Sequence, residues 1–168
     1  MNRFRDQRKD HDRSGHRSGD QQRACRRVAD IWPGYLSDGY FDENGFLRQE
    51  YVSRENVEPL AEAMAQAKPA LTMSQMRRFF QHCRRIENRL RLDGEEWGKV
   101  LPKVLFLDAA AQDAWGKTEP KIPELFFDFI RRNVAAVRGP RDFFDGFIPH
   151  FEALVGFGAT HIKNRYGR

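Results

Sequence analysis

The sequence predicts an all-α protein, a bundle of about five helices preceded by a disordered basic N-terminal tail. Three observations predict it. No segment sustains the period-2 alternation of a half-buried strand. Glycine and proline, in "KPAL", "DG" and "RGP", separate runs of helical length. Residues 1–27 offer almost nothing that could be buried, and composition this polar does not offset the entropy of ordering. The chain therefore divides into a disordered basic tail over 1–27, an aromatic turn-rich extension over 28–52 and a helical bundle domain over 53–168.

Within the extension, Trp32, Tyr35, Tyr40, Phe41, Phe46 and Tyr51 alternate with Pro33, Gly34, Gly39 and Gly45, so these rings are expected to pack on the bundle. "DGYFDENGF" is not a calcium loop. With Gly45 at the sixth position, Tyr40 and Tyr51 would occupy the first and twelfth, where ligands are needed. Ser53 or Asn56 caps the first helix, which runs to about Lys68 and holds Pro59 in its first turn, with Leu60, Met64 and Ala67 facing inward. Thr72 starts the second helix, with Gln75 at the capping-box position, and "DG" stops it after Leu92. The third region spans about Glu95 to Trp115, with Pro102 dividing it and Gly116 closing it. Pro123 begins a fourth helix that ends at Val137. The fifth runs from about Arg141 to Lys163, with a kink or break at Pro149.

The net charge of +5 is localised. Residues 1–27 carry nine Lys/Arg against four Asp, which leaves twenty of each sign in the remainder. A basic surface on the folded part must therefore come from segregation of charge. The tail's composition fits a solubilising extension or an arm that grips nucleic acid loosely. Cys25 and Cys83 form no CxxC or Cys/His pattern, which suits a reducing cytosol. No apolar run approaches the ~18 residues of a membrane span, and the basic N-terminus lacks an apolar signal core. A cytoplasmic protein without a membrane partner is expected.

One segment stands out. "LTMSQMRRFFQHCRRIENRLRL" places Met76, Phe79, Phe80, Cys83, Ile86 and Leu90 within an arc of about 120° on a helical wheel. All six arginines fall outside that arc. Arg77, Arg84 and Arg91 flank it, whereas Arg78, Arg85 and Arg89 lie on the far side. A solvated helix face usually interleaves acids to gain i,i+4 pairs, yet Glu87 is the single acid in this helix. Every cation is Arg and none is Lys, and guanidinium forks match phosphate oxygens bidentately. The pattern favours a nucleic-acid backbone, with the row flanking the arc expected to hold it more strongly.

At these residues the sequence resembles the small helical subunit of type III-A CRISPR interference complexes, the Csm complexes. "LTMSQMRRFF" is similar to that family's Leu-Thr-x-Ser-Gln-x-Arg helix start, with Arg77 at its arginine. "LPKVLFLDAAA" resembles the following Pro-Lys helix, and "FFDGFIPHFEALVGFG" the C-terminal Phe-rich helix with Glu152 and Ala153 in place. Phe106 stands where the family commonly has Tyr, and Ala110 where an Arg often follows, so on this helix the resemblance carries an RNA contact only to Lys103. The resemblance implies a noncatalytic subunit whose copies stack into a filament and steady target RNA paired to guide RNA. The expected RNA-binding residues are then Arg77, Arg78, Arg84, Arg85, Arg89, Arg91 and Lys103, and the expected partners are guide and target RNA backbone, other Csm subunits and copies of the chain itself. No metal, cofactor or catalytic residue is expected.

Two other classes compete with it. An enzyme would have to use His82, His150 or His161, with Asp145 or Glu152 nearby. His150 and His161 would lie ~16 Å apart along one helix, too far to share a metal. Gly-rich phosphate loops, H-E-x-x-H and G-x-S-x-G are missing from the sequence. A helical DNA-binding regulator or protein-interaction adaptor is the alternative, and "KPAL" is compatible with a helix-turn-helix. A recognition helix reads bases from its N-terminal turns. Arginines along a whole helix suit a backbone track better.

Overall fold

The computed structural model describes residues 27–163. The basic tail expected over 1–27 lies outside the described residues apart from Arg27. The described chain is all-α. Its six helices are α1 (Val28–Ile31), α2 (Arg54–Gln66), α3 (Met73–Arg91), α4 (Trp97–Trp115), α5 (Glu124–Ala136) and α6 (Ile148–Gly158). A single 3-10 turn, Gln49–Tyr51, precedes α2, and a π-helical segment, Asp142–Phe147, leads into α6.

Residues 28–51 wrap the bundle and supply part of its core. Val28, Trp32, Tyr35, Tyr40 and Tyr51 are buried. The backbone amide of Val28 donates to Asp128 on α5 at 3.0 Å, and the same carboxylate receives Arg131 and Arg132 at 3.1 and 2.8 Å. The "DENGF" turn is closed by its own acid. Asp42 Oδ1 accepts from the amides of Asn44 and Phe46 at 2.9 and 2.8 Å, beside a lone bridge between Phe41 and Leu47.

Beneath this wrap lies a polar chain in which each donor has an acceptor. The Tyr40 hydroxyl donates to Asn133 Oδ1 at 2.8 Å, and the Asn133 amide donates to the Tyr35 oxygen at 2.6 Å and the Phe129 carbonyl at 2.8 Å. Tyr35 thus has its own proton for His150 Nε2, 2.7 Å away, which leaves Nδ1 protonated toward the Tyr51 carbonyl at 2.6 Å. Burial pushes His150 down to about 4, so the ring is neutral as this chain requires. Around it Phe126, Phe129, Phe143, Phe147 and Phe151 are fully buried, as their helical spacing predicts.

The helix boundaries show how local chemistry and packing share control. Thr72 and Gln75 form the expected capping box, with Thr72 Oγ1 accepting the Gln75 amide at 3.3 Å and Gln75 Oε1 accepting the Thr72 amide at 2.9 Å. Pro123 is the N-cap of α5 rather than its first residue. Two prolines depart from expectation. Pro59 lies in the second turn of α2, because that helix starts at Arg54, and Pro102 does not divide α4. Each is the sixth residue of its helix, and the carbonyls left without a donor belong to Glu55 and Gly98, both solvent-exposed. Water can satisfy them there. The break expected at Pro149 is displaced upstream. The π segment widens the chain before Pro149 enters α6, and the amide of Ile148 reaches back to Phe143. Within that segment Gly146 abuts Tyr40, and a Cβ there would come within 2.5 Å of the ring.

α6 runs through the centre, packed on α2 and α3, while α4 packs on α3 and α5. α2 packs chiefly on α6 rather than on α3, unlike the two helices of a helix-turn-helix. α3 is left with one face on the bundle and one open.

Candidate nucleic-acid interface

The inner face of α3 is apolar, as its periodicity predicts. Met73, Met76, Cys83 and Ile86 are buried, and Phe79, Phe80 and Leu90 are half-buried. Phe79 meets Phe126 edge to face at 5.3 Å, and Phe80 meets Phe151 at the same distance. Burial raises the Cys83 thiol to about 12, so it is an inert packing group. With this stripe pinned, all six arginines emerge on exposed positions.

The two rows flank different seams. On the α6 side, Glu87 gathers Arg84 at 2.7 Å and Arg91 at 3.2 Å, and Arg84 also reaches Glu152 at 3.5 Å. Arg91 lies over the Phe144 ring at 4.6 Å and Arg84 over Phe80 at 5.5 Å. On the α4 side, Glu95 lies between Arg89 at 3.5 Å and Lys103 at 3.7 Å. His82 Nε2 bonds the Lys103 carbonyl at 3.1 Å, and burial, followed by the Arg85 charge, lowers its pKa. Arg89 thus borders the α4 side through Glu95, and Arg85 acts on His82 at the same seam.

Charge pairing divides the six arginines differently from the two rows of the wheel. Arg84, Arg89, Arg91 and Lys103 have acidic partners. The guanidinium groups of Arg77, Arg78 and Arg85 make no hydrogen bond or ion pair among the described residues. Glu95 and Glu152 are the residues that sequence reasoning missed as charge partners. They come from a loop and from α6, so no spacing within α3 could have revealed them.

The histidines do not assemble. His150 is inside the tyrosine network, His82 is on the α3–α4 seam, and His161 pairs with Glu58 at 3.1 Å. An open depression of about 810 Å³ lies between the 34–41 loop and the end of α5. Its lining includes Leu36, Asp38, Arg132 and Arg138 but no residue of α3 or α4.

The family model for Csm2 of type III-A matches residues 52–163, well over half of the chain and all of α2 to α6. The chain belongs to the Csm2 type III-A family. It is thereby a small subunit of a type III-A CRISPR complex, in a family whose role is structural. No curated protein and no solved structure matches the chain. The Csm2 match includes every one of the seven expected RNA-binding residues, whereas the wrap over 28–51 falls outside it. No helix among the described residues is long and apolar enough to cross a membrane.

Proposed function

We propose that this Csm2 family member is a noncatalytic, cytoplasmic small subunit whose copies stack into a filament along the complex. Its α3 face holds the phosphates of target RNA paired to the guide. One observation carries the reading: Arg77, Arg78 and Arg85 are exposed on one helix with no acidic partner among the described residues. Clustered like charge repels itself even when each group is hydrated, and a polyanion relieves that repulsion. Arg84, Arg89, Arg91 and Lys103 extend the positive field, but each must share its charge with Glu87, Glu95 or Glu152.

Co-expression with the remaining Csm subunits and a guide RNA tests the assembly. The chain co-purifies as part of a ribonucleoprotein, in more than one copy. In filter binding with the full chain, Arg77→Ala with Arg78→Ala and Arg85→Ala flattens the dependence of log K on log salt. The slope falls by about 0.7 for each single-strand phosphate that is no longer neutralised. Normal RNA binding by that triple variant, with folding intact, would remove α3 from the interface.

A further inference from the structure

Phe106 is 60% exposed on α4, next to the 52% exposed Leu105, so its ring is open to solvent beside the α3–α4 seam. The register of the α3–α4 hairpin fixes its surroundings. His82 bonds Lys103, and Arg89 pairs with Glu95, so the two helices run antiparallel. Phe106 lies one turn beyond Lys103 on α4, and Arg78 lies one turn before His82 on α3. The ring is therefore level with Arg78. Its neighbours three and seven residues back, on the α3 side of α4, are Lys103 and Lys99.

We propose that Phe106 is a stacking platform for an unpaired nucleobase of the RNA whose phosphates lie along the α3–α4 seam. This rests on the reading of α3 as an RNA-backbone surface and goes beyond it, because it requires a nucleotide that is left unpaired on that backbone. A phosphate held by Arg78 brings its nucleoside to the same level of the hairpin as the ring, and Arg85, about 10.5 Å further along α3, can hold a neighbouring phosphate. Lys103 and Lys99 can serve the neighbouring phosphates. Stacking on Phe is sequence-tolerant, since each base has a π face, and it adds affinity without adding a phosphate contact. Pro102, Ala109 and the 52% exposed Leu105 continue the apolar surface away from α3, where a protein could dock instead. The cations on the α3 side favour RNA.

The test uses the full chain at low salt with two probes: a single-stranded RNA oligomer carrying 2-aminopurine, and a blunt RNA duplex of equal length. Phe106→Ala lowers single-strand affinity about 5- to 150-fold, leaves the salt slope and duplex affinity unchanged, and abolishes quenching of the aminopurine. Phe106→Tyr restores both affinity and quenching. Arg78→Ala with Arg85→Ala instead flattens the salt slope for both probes. Circular dichroism confirms folding, which an exposed position should leave intact. If Phe106→Ala binds single strands normally while the arginine pair still matters, the stacking inference is overturned and the backbone surface stands. If the wild-type chain binds neither probe, both fall. If Phe106→Ala changes only co-purification with other subunits, the surface docks protein and the inference is overturned.

Discussion

The tyrosine–histidine core and the arginine face of α3 treat their polar groups in opposite ways. In the core, Tyr40, Asn133, Tyr35 and His150 pass hydrogen bonds along a closed chain, and no buried side-chain polar atom among the described residues lacks a partner. On α3, three of six guanidinium groups have acids within 4 Å and three have none among the described residues. Burial explains the difference. An unpaired polar group inside costs the full desolvation penalty, whereas an exposed arginine remains hydrated at little cost. Unpaired charge is thus tolerated where water reaches it, which is also where a ligand could.

The largest break comes from the core. Phe129 contacts Tyr35, Phe126, Phe147, His150 and Phe151 at centroid distances of 5.4 to 6.5 Å. Phe129→Ala should cost about 3–5 kcal/mol in denaturant unfolding. A loss below 1 kcal/mol would mean the aromatic layer is far looser than it looks.

Acid attacks the same region through His150. Its folded pKa of about 4 lies below the ordinary 6.5, so the unfolded chain takes up the proton first. Stability is therefore fully present above about 6.5 and falls as pH drops toward 4, by about 1.4 kcal/mol per unit in that window. Urea unfolding at pH 7 and pH 5 should show the loss, and His150→Gln should reduce it even though that variant starts less stable. An equal loss in the variant would assign the acid sensitivity to other groups.

Asn133→Ala is a smaller break. It removes the acceptor of Tyr40 and one donor to Tyr35, for about 1–3 kcal/mol. The expected signature is a lower denaturation midpoint with unchanged RNA binding. A loss of RNA affinity in the folded variant would couple the Asn133 network to the arginine face, through the Phe126 and Phe151 rings on which α3 packs.

How much of this was legible in the sequence follows the range of the interactions involved. The Thr72–Gln75 box, the α3 stripe and the burial of Phe126, Phe129, Phe143, Phe147 and Phe151 rest on neighbours three or four residues apart, and the pattern carried them. Pro59 and Pro102 misled because their effect depends on whether the freed carbonyl meets water, which is a property of the fold. The π segment before Pro149 has the same character. Gly146 admits the Tyr40 ring, a contact across more than a hundred residues. At the candidate site, the composition of the arginine face was readable, but the pairing of Arg89 and Lys103 through Glu95 was not.

The smallest expected effect sharpens the comparison most. Glu87 is the one acid on α3, its side chain is only 12% exposed, and it holds Arg84 and Arg91 together. If internal pairing is what withholds an arginine from phosphate, Glu87→Gln should release both. Arg84 and Arg91 are 45% and 55% exposed, so solvent screens both pairs to roughly 0–1 kcal/mol each, and the variant should remain folded with a nearly unchanged midpoint. RNA binding should strengthen, and the slope of log K against log salt should steepen by up to about 0.7 for each arginine that gains a phosphate. The control is Glu87→Gln combined with Arg84→Ala and Arg91→Ala, which should return the slope to its wild-type value or below. Weaker binding in the single variant would mean that Glu87 positions the two guanidinium groups for phosphate rather than withholding them. Arg84 and Arg91 would then join Arg77, Arg78 and Arg85 as part of one continuous surface.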